Sequence, residues 1–395
     1  MPALDGMRVL DMTQYEAGTS CTQLLAWLGA EVVKVEPPGR GDPGRGVAYA
    51  PDQVSQYFLN YNSNKRSVAI DLACEKGRDL LLRMVPHYDV FVENYGPGVI
   101  EKLGLGYDLM EQLNPAIIYG RIKGFGLSGP YAHFKCYDWV AQAAAGGFSV
   151  TGERDGPPTM PGPTIGDSGT GIQMALAITA AYVQKLRTGE GQFIEISMQE
   201  AATMFMRTLG LATWGEAPAE RAGSRRGAPT DVYPCKGGGP NDYVFIMVVT
   251  TRMWDSLCAA IGKPELVTDP RFENGRLRNE HGDELYEEIA EWTRQRTKYE
   301  AMWELADAGV PCSAVLDTHD LFTDPHLKAR DFIQVVEHPA AGPVKLMRNP
   351  IRMSKSLVPL KAAPLLGEAT REILARDLGL DDGTLDALMA EGVIG

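Results

Sequence analysis

Apolar and polar positions along the N-terminal half predict strands and helices in turn. Met7–Met12 (MRVLDM) and Glu31–Glu36 (EVVKVE) are short apolar runs that read as strands. Between them, Cys21–Leu28 carries helical spacing, with Thr19 and Ser20 as candidate N-caps. A strand, a helix and a strand within roughly 30 residues form a βαβ unit, which implies a parallel sheet. The pattern recurs: Ser67–Leu72, Asp89–Tyr95, Ala116–Lys123 and Phe193–Ser197 read as strands. Glu75–Met84, Tyr137–Ala145, Ser168–Gln184 and Gln199–Leu209 read as helices. The expected fold is an open α/β domain with a doubly wound, Rossmann-like parallel sheet.

The texture then changes. Gly215–Gly239 is rich in Gly, Ala, Pro and Arg and lacks periodicity, as a linker or an active-site loop would. Tyr243–Thr250 is a strong strand. Helices at Arg252–Ile261, Gly282–Arg294 and Tyr299–Ala308 follow, with a strand near Cys312–Leu316. This predicts a smaller α+β domain over residues 240–317, then a second linker over 318–330. Strand-like pieces return from Asp331, and helices at Ala369–Asp377 and Asp382–Glu391 end the chain. The larger domain is therefore expected to be discontinuous, taking residues 1–214 and 331–395.

Composition narrows the function classes. A chain of 395 residues with 44% hydrophobic and 23% charged residues is an ordinary globular protein of two or three domains. Its 6 cysteines form no CxxC pair and its 6 histidines no HxxxH pair, so no metal site is expected and the thiols read as reduced. No apolar run approaches the roughly 20 residues that span a bilayer. The N-terminus lacks a basic segment followed by an apolar one, so a cytoplasmic protein without membrane attachment is expected. A net charge of -13 argues against nucleic acid as a partner. Any anionic substrate must then be met by local positive groups.

Two glycine motifs stand out. Gly124, Gly126 and Gly129 spell G-x-G-x-x-G after a strand, but Pro130 follows and no helix opens there, so a plain turn is favoured over dinucleotide binding. Gly166–Gly171 (GDSGTG) sets Asp167 between glycines just before a long apolar helix. One reading is helix capping by Asp167 or Ser168. The other is a nucleophilic carboxylate, kept ionised by the helix dipole and free amides, on a turn a substrate can approach closely.

Seven segments, Leu10–Pro38, Asn64–Leu72, Val92–Leu105, Lys123–Tyr131, Gly166–Gly171, Gly191–Ala201 and Ala363–Thr370, together resemble the family III CoA-transferases. They run in family order through nearly the whole chain. The resemblance implies that Asp167 attacks an acyl-CoA thioester and passes through an anhydride and an aspartyl-CoA thioester. Coenzyme A and an organic acid would be substrates, with no permanently bound cofactor. It places Tyr137 and Asp138 in the active site. Ala17, Ile70, Asn94, Tyr95, Lys102, Lys135 and Met198 would line the CoA site, Lys102 standing where an arginine is common. It also implies an interlocked homodimer, or a heterodimer with a related subunit, with crossing segments at the two linkers.

Two positions depart from the family pattern. Glu16 stands where the formyl-CoA and oxalate-using branch carries a glutamine, and a carboxylate there repels a small dianion. The family's glycine-rich loop is replaced by Ala222–Ala228, whose Arg225 and Arg226 suit a second carboxylate, or Glu16 itself. These features favour a larger, possibly substituted dicarboxylic acid, with succinyl-CoA as donor, over oxalate. The rival is the α-methylacyl-CoA racemase branch, which needs two proton-transfer groups with a histidine before the aspartate. Here Cys136 and Tyr137 precede Asp138, and the nearest histidine, His133, lies earlier. A non-catalytic acyl-CoA-binding protein would require loss of Asp167, which is present.

Overall fold

The computed structural model describes residues 1–48, 54–209, 214–224 and 227–395. The chain divides into two compact units, one of Met1–Ser149, Met160–Ala219 and Asp331–Gly395, the other of Val150–Thr159 and Glu220–Arg330.

The first unit is built on six strands: β1 (Arg8–Met12), β2 (Glu31–Glu36), β3 (Arg66–Ala69), β4 (Val90–Glu93), β5 (Ile118–Lys123) and β6 (Gln192–Ser197). They form one sheet in the order β3-β2-β1-β4-β5-β6, parallel throughout. This is the doubly wound fold expected from the alternation of segments. Side chains alternate across it. Val9, Val32, Val90, Val92 and Ile118 pack on one face against α1 (Ala17–Trp27) and a later long helix. Leu10, Val33, Val68, Phe91 and Tyr119 pack on the other with the helices Thr370–Leu378 and Asp382–Ala390. Burial on both faces explains why these strands read as apolar runs.

The remaining helices of this unit are α2 (Gln56–Asn62), α3 (Glu75–Met84), α4 (Val99–Lys102), α5 (Tyr107–Leu113), α6 (Asp138–Ala144), α7 (Ser168–Thr188) and α8 (Met198–Thr203). Helix α1 starts earlier than its spacing suggested, and Thr19 and Ser20 do not cap it: Glu16 precedes it without a side-chain cap bond. Thr19 instead donates to the Tyr15 and Glu16 carbonyls.

The second unit pairs β7 (Asp231–Pro234), β8 (Tyr243–Ile246) and β9 (Cys312–Ala314) antiparallel, in that order. Trp254, Leu257, Leu285, Ile289 and Leu305 from three helices fill its core. β7 falls inside Gly215–Gly239, which had shown no periodicity because its buried residues are few and separated by glycines and prolines. The stretch 318–330 holds two short helices, Asp320–Thr323 and Pro325–Ala329. A hairpin, β10 (Ile333–His338) with β11 (Gly342–Met347), returns the chain to the first unit, where Leu346 packs on Phe58 and Leu59 of α2. Among the described residues no helix is long and apolar enough to cross a membrane.

One interior polar knot braces the sheet. Asp11 of β1 is fully buried and accepts hydrogen bonds from the Thr13 amide at 2.9 Å, Thr22 at 2.8 Å and Lys65 at 3.0 Å. Lys65 also donates to the Thr19 carbonyl and to Asn62, so β1, α1 and α2 share one ion pair. Removing one partner of such a pair strands a buried charge. Asp11→Ala is expected to cost about 3–5 kcal/mol in denaturant unfolding; a loss below about 1 kcal/mol would show the pair to be dispensable.

Candidate active site

In a doubly wound sheet the crevice opens where strand order reverses, outside the carboxyl ends of the strands. Here that point lies between β1 and β4, paired in register from Val9 with Val90 to Met12 with Glu93. A cavity of about 230 Å³ sits beyond it, lined from the β1 exit by Gln14–Ala17 and from the β4 exit by Asn94–Pro97. The β5 exit adds Ile122, Lys123 and Gly124; Phe134, Lys135, Cys136, Tyr137, Asp167 and Met198 complete the wall.

Asp167 takes the N-terminal position of α7, and its side chain makes no capping bond. Capping is therefore excluded as its role, and Ser168 does not cap either: its hydroxyl donates to Glu16 Oε1 at 2.7 Å. The backbone of the nucleophile candidate is pinned. Its amide donates to Asp138 Oδ1 at 3.0 Å, while Gln142 donates to Asp138 Oδ2 at 2.7 Å and to the Pro163 carbonyl at 2.9 Å. Two glycines of the motif permit close approach. A Cβ on Gly166 would lie 2.5 Å from the Asp138 carbonyl oxygen, and one on Gly171 would lie 2.6 Å from that of Ala17. Any side chain at Gly171 would separate α7 from α1 and withdraw Asp167 from Glu16.

The electrostatics correct one expectation. The first amides of α7 are not free to stabilise an anion: Ser168 donates to the Thr164 carbonyl and Gly169 to that of Ile165. Burial, then Glu16, then Asp138 push the Asp167 carboxyl up to about 8 from its ordinary 3.8. Desolvation and like charge outweigh the helix dipole. Burial with Asp167 and Asp138 likewise pushes the Cys136 thiol up to about 12.

Eight of the residues expected at the site, Glu16, Ala17, Asn94, Tyr95, Lys135, Tyr137, Asp167 and Met198, line this one cavity. Asp138 lies buried behind Asp167. Tyr137 is 62% exposed, which excludes a core role. Asn94 spends its amide on the Gln14 peptide, donating to its carbonyl and accepting from its N–H, both at 2.8 Å. Ile70 and Lys102 lie off the lining: Ile70 is fully buried against the C-terminal segment, bridging Ile394, and Lys102 is exposed at the end of α4. Arg225 and Arg226 lie outside the described residues.

Several neighbours had no signal in the sequence pattern. Tyr57 and Tyr61 of α2 are among them. Burial and the Glu16 charge suppress the acidity of both, with Asp167 adding to Tyr57, and Tyr61 faces Glu16, Ser168 and Thr164. Lys123 is a buried cation on the lining, held by Glu93 at 2.9 Å and by the Tyr95 carbonyl at 2.5 Å. The sequence pattern assigned none of them a site role, and only the fold brings them beside the crevice.

A doubly wound sheet with a carboxylate at its switch-point crevice defines an α/β protein built to bind a ligand there. The comparisons name the family: residues 4–370 match the model of CoA-transferase family III, and the chain belongs to that family. It is 40% identical over 409 aligned positions to a formyl-CoA:oxalate CoA-transferase of Streptomyces coelicolor, covering 99% of each chain. It is 38% identical to one of Rhodopseudomonas palustris, covering 99% of this chain and 97% of the relative. Among solved structures, a CaiB/BaiF family protein from Brucella suis matches with a TM-score of 0.85 at 31% identity, covering 95% of this chain and 99% of that one. A protein from M. tuberculosis matches with a TM-score of 0.80 at 30% identity, covering 94% and 98%.

The raised Asp167 carboxyl has a consequence for stability. Below about pH 4 it is protonated in both folded and unfolded states and has no effect. From there to about 8 the folded chain keeps a proton that the unfolded chain has released, so stability falls as pH rises, and the loss is complete above that. Asp167→Asn is expected to melt higher than the parent near pH 9, with the gap closing towards about pH 4. A gap independent of pH would refute the raised carboxyl.

Proposed function

We propose that this protein moves coenzyme A between an acyl-CoA thioester and an organic acid, with Asp167 as the covalent acyl carrier. The observation that carries the reading is the Asp167 carboxyl, uncapped at the start of α7 and offered to the cavity. Family membership supports it.

In this scheme an Asp167 oxygen attacks the thioester carbonyl and the C–S bond breaks, leaving a mixed anhydride and CoA thiolate. The thiolate attacks the aspartyl carbonyl, releasing the first acid and forming aspartyl-CoA thioester. The acceptor carboxylate then displaces the thiolate to form a second anhydride. Attack of the thiolate on the acceptor's acyl carbon yields the new thioester and returns the Asp167 carboxylate. No net proton is consumed, and each step is covalent catalysis. The reactive anion is a strained ground state here, because Glu16 and Asp138 oppose its charge. Acylation removes that charge and relieves the opposition. Asp138, itself held by Gln142, fixes the Asp167 backbone while the side chain passes through its anhydride and thioester forms.

For the acids, we favour a body larger than oxalate, with succinyl-CoA as donor and a substituted dicarboxylic acid as acceptor. Oxalate carries two carboxylates on adjacent carbons, so its second charge would face Glu16 while the first engages Asp167. A longer acid keeps the second charge away. The relatives' names point to formyl-CoA and oxalate, so that pair belongs in the same test. The proposal includes the homodimer, or heterodimer with a related subunit, typical of the family, and sedimentation equilibrium of the purified protein tests it.

Hydroxylamine added during turnover with succinyl-CoA is expected to label Asp167, seen by peptide mass spectrometry, and Asp167→Asn abolishes both labelling and exchange. Absence of adduct and of exchange across an acid panel that includes oxalate sinks the transferase reading, and deuterium uptake at the acyl α-carbon would favour the racemase. Because the carboxylate is the attacking form, kcat/KM for the acyl-CoA should rise with pH through about 8. Glu16→Gln removes one opposing charge and should lower that midpoint while raising activity on oxalate. An unmoved midpoint would show that Glu16 does not act on Asp167.

A further inference from the structure

The loop leaving β1 contains a residue in a costly conformation. Tyr15 sits at φ +57°, the left-handed region that side chains other than glycine avoid. Such a residue persists only where its surroundings over-determine it, and these places cluster at functional sites. The restraints are explicit. The Tyr15 amide donates to Asp42 Oδ1 at 3.1 Å, and the Tyr15 carbonyl accepts from the Thr19 hydroxyl. The preceding peptide is clamped on both sides by Asn94, and the Thr13 carbonyl accepts from Lys34 Nζ at 2.6 Å. Asp42 joins the two ends of this scaffold. Its Oδ1 also accepts the Gly44 amide at 2.8 Å, and its Oδ2 pairs with Lys34 at 2.8 Å, with both side chains out of solvent. Asp42 and Lys34 are absent from the cavity lining.

The scaffold has an output. It directs the Tyr15 ring into the cavity, where it meets Tyr137 edge-on, centroids 6.1 Å apart and planes at 87°. Both rings keep substantial exposure, Tyr15 37% and Tyr137 62%. They give the wall next to Glu16 and Asp167 an open aromatic surface. An alkyl or aryl group laid on it would gain by burial and ring contact, and a bare carboxylate such as formate or oxalate would gain nothing.

Resting on the transfer reading above, we infer that Tyr15 is a specificity-determining residue that selects acids with an apolar body. Asp42, ion-paired to Lys34, is the positioning residue that holds it. The pair acts on choice of acid and not on the covalent step.

The test measures kcat/KM for phenylacetate and for acetate as acceptors, with succinyl-CoA as donor, alongside hydroxylamine labelling of Asp167. Tyr15→Ala is expected to lower the phenylacetate-to-acetate ratio roughly tenfold or more, the scale of a lost apolar contact. Tyr15→Phe keeps the ring and should hold the ratio within about threefold. Asp42→Asn keeps an acceptor oxygen for the Tyr15 amide and loses the negative charge paired with Lys34, so it should lower the ratio in the same direction by less. Its melting curve checks that it folds. A ratio unchanged by Tyr15→Ala, or equal loss on both acids, overturns the assignment of Tyr15. Equal loss on both acids in folded Asp42→Asn overturns that of Asp42. Failure of the wild-type protein to label Asp167 overturns the transfer reading and this one with it, whereas normal labelling with a flat ratio overturns this one alone.

Discussion

The site depends on one pairing, that of β1 with β4. The two strands run parallel at the point where the sheet's winding reverses, so the loops beyond Met12 and Glu93 emerge side by side and diverge. The amide of Asn94 closes that gap by matching both polar groups of the Gln14 peptide, as a neighbouring strand would. From that joint the loop turns through Tyr15 into Glu16 and α1. α1 in turn lies close enough to α7, at the glycine of position 171, to bring Asp167 to the same crevice.

That geometry concentrates negative charge where a nucleophile is wanted. Glu16 and Asp138 approach Asp167 from different elements, and burial keeps water from screening them. The arrangement raises the energy of the free carboxylate and so favours its protonated form. The net charge of -13 had suggested that anionic substrates need local cations. Within the described lining these are Lys123 and Lys135, and only Lys135 is exposed; Lys123 is taken up by Glu93 and Tyr95.

Much of the fold was legible in the chain. The inner strands betray themselves because parallel strands covered on both faces are largely apolar along their length, and the helices between them keep their own period. The helix α2 was not legible: its Phe58 and Leu59 bury against Leu346, a residue from the far end of the chain. The strand Asp231–Pro234 was hidden for a similar reason, since an edge strand of four residues among glycines acquires its pattern only from the partner it pairs with. At the site, the GDSGTG turn pointed to Asp167, while Ile70 and Lys102 share family motifs yet stand off the cavity.

The sequence by itself determined the parallel α/β architecture and the carboxylate on a glycine turn, because both are written in local periodicity and local backbone freedom. The tertiary structure alone decided that Asp167 caps nothing, that Glu16 and Asp138 oppose its charge, and that Tyr15 is forced to face Tyr137. Positions 16, 138 and 167 are far apart in the chain. The interaction among their charges falls off with distance through space, and only the folded sheet sets that distance.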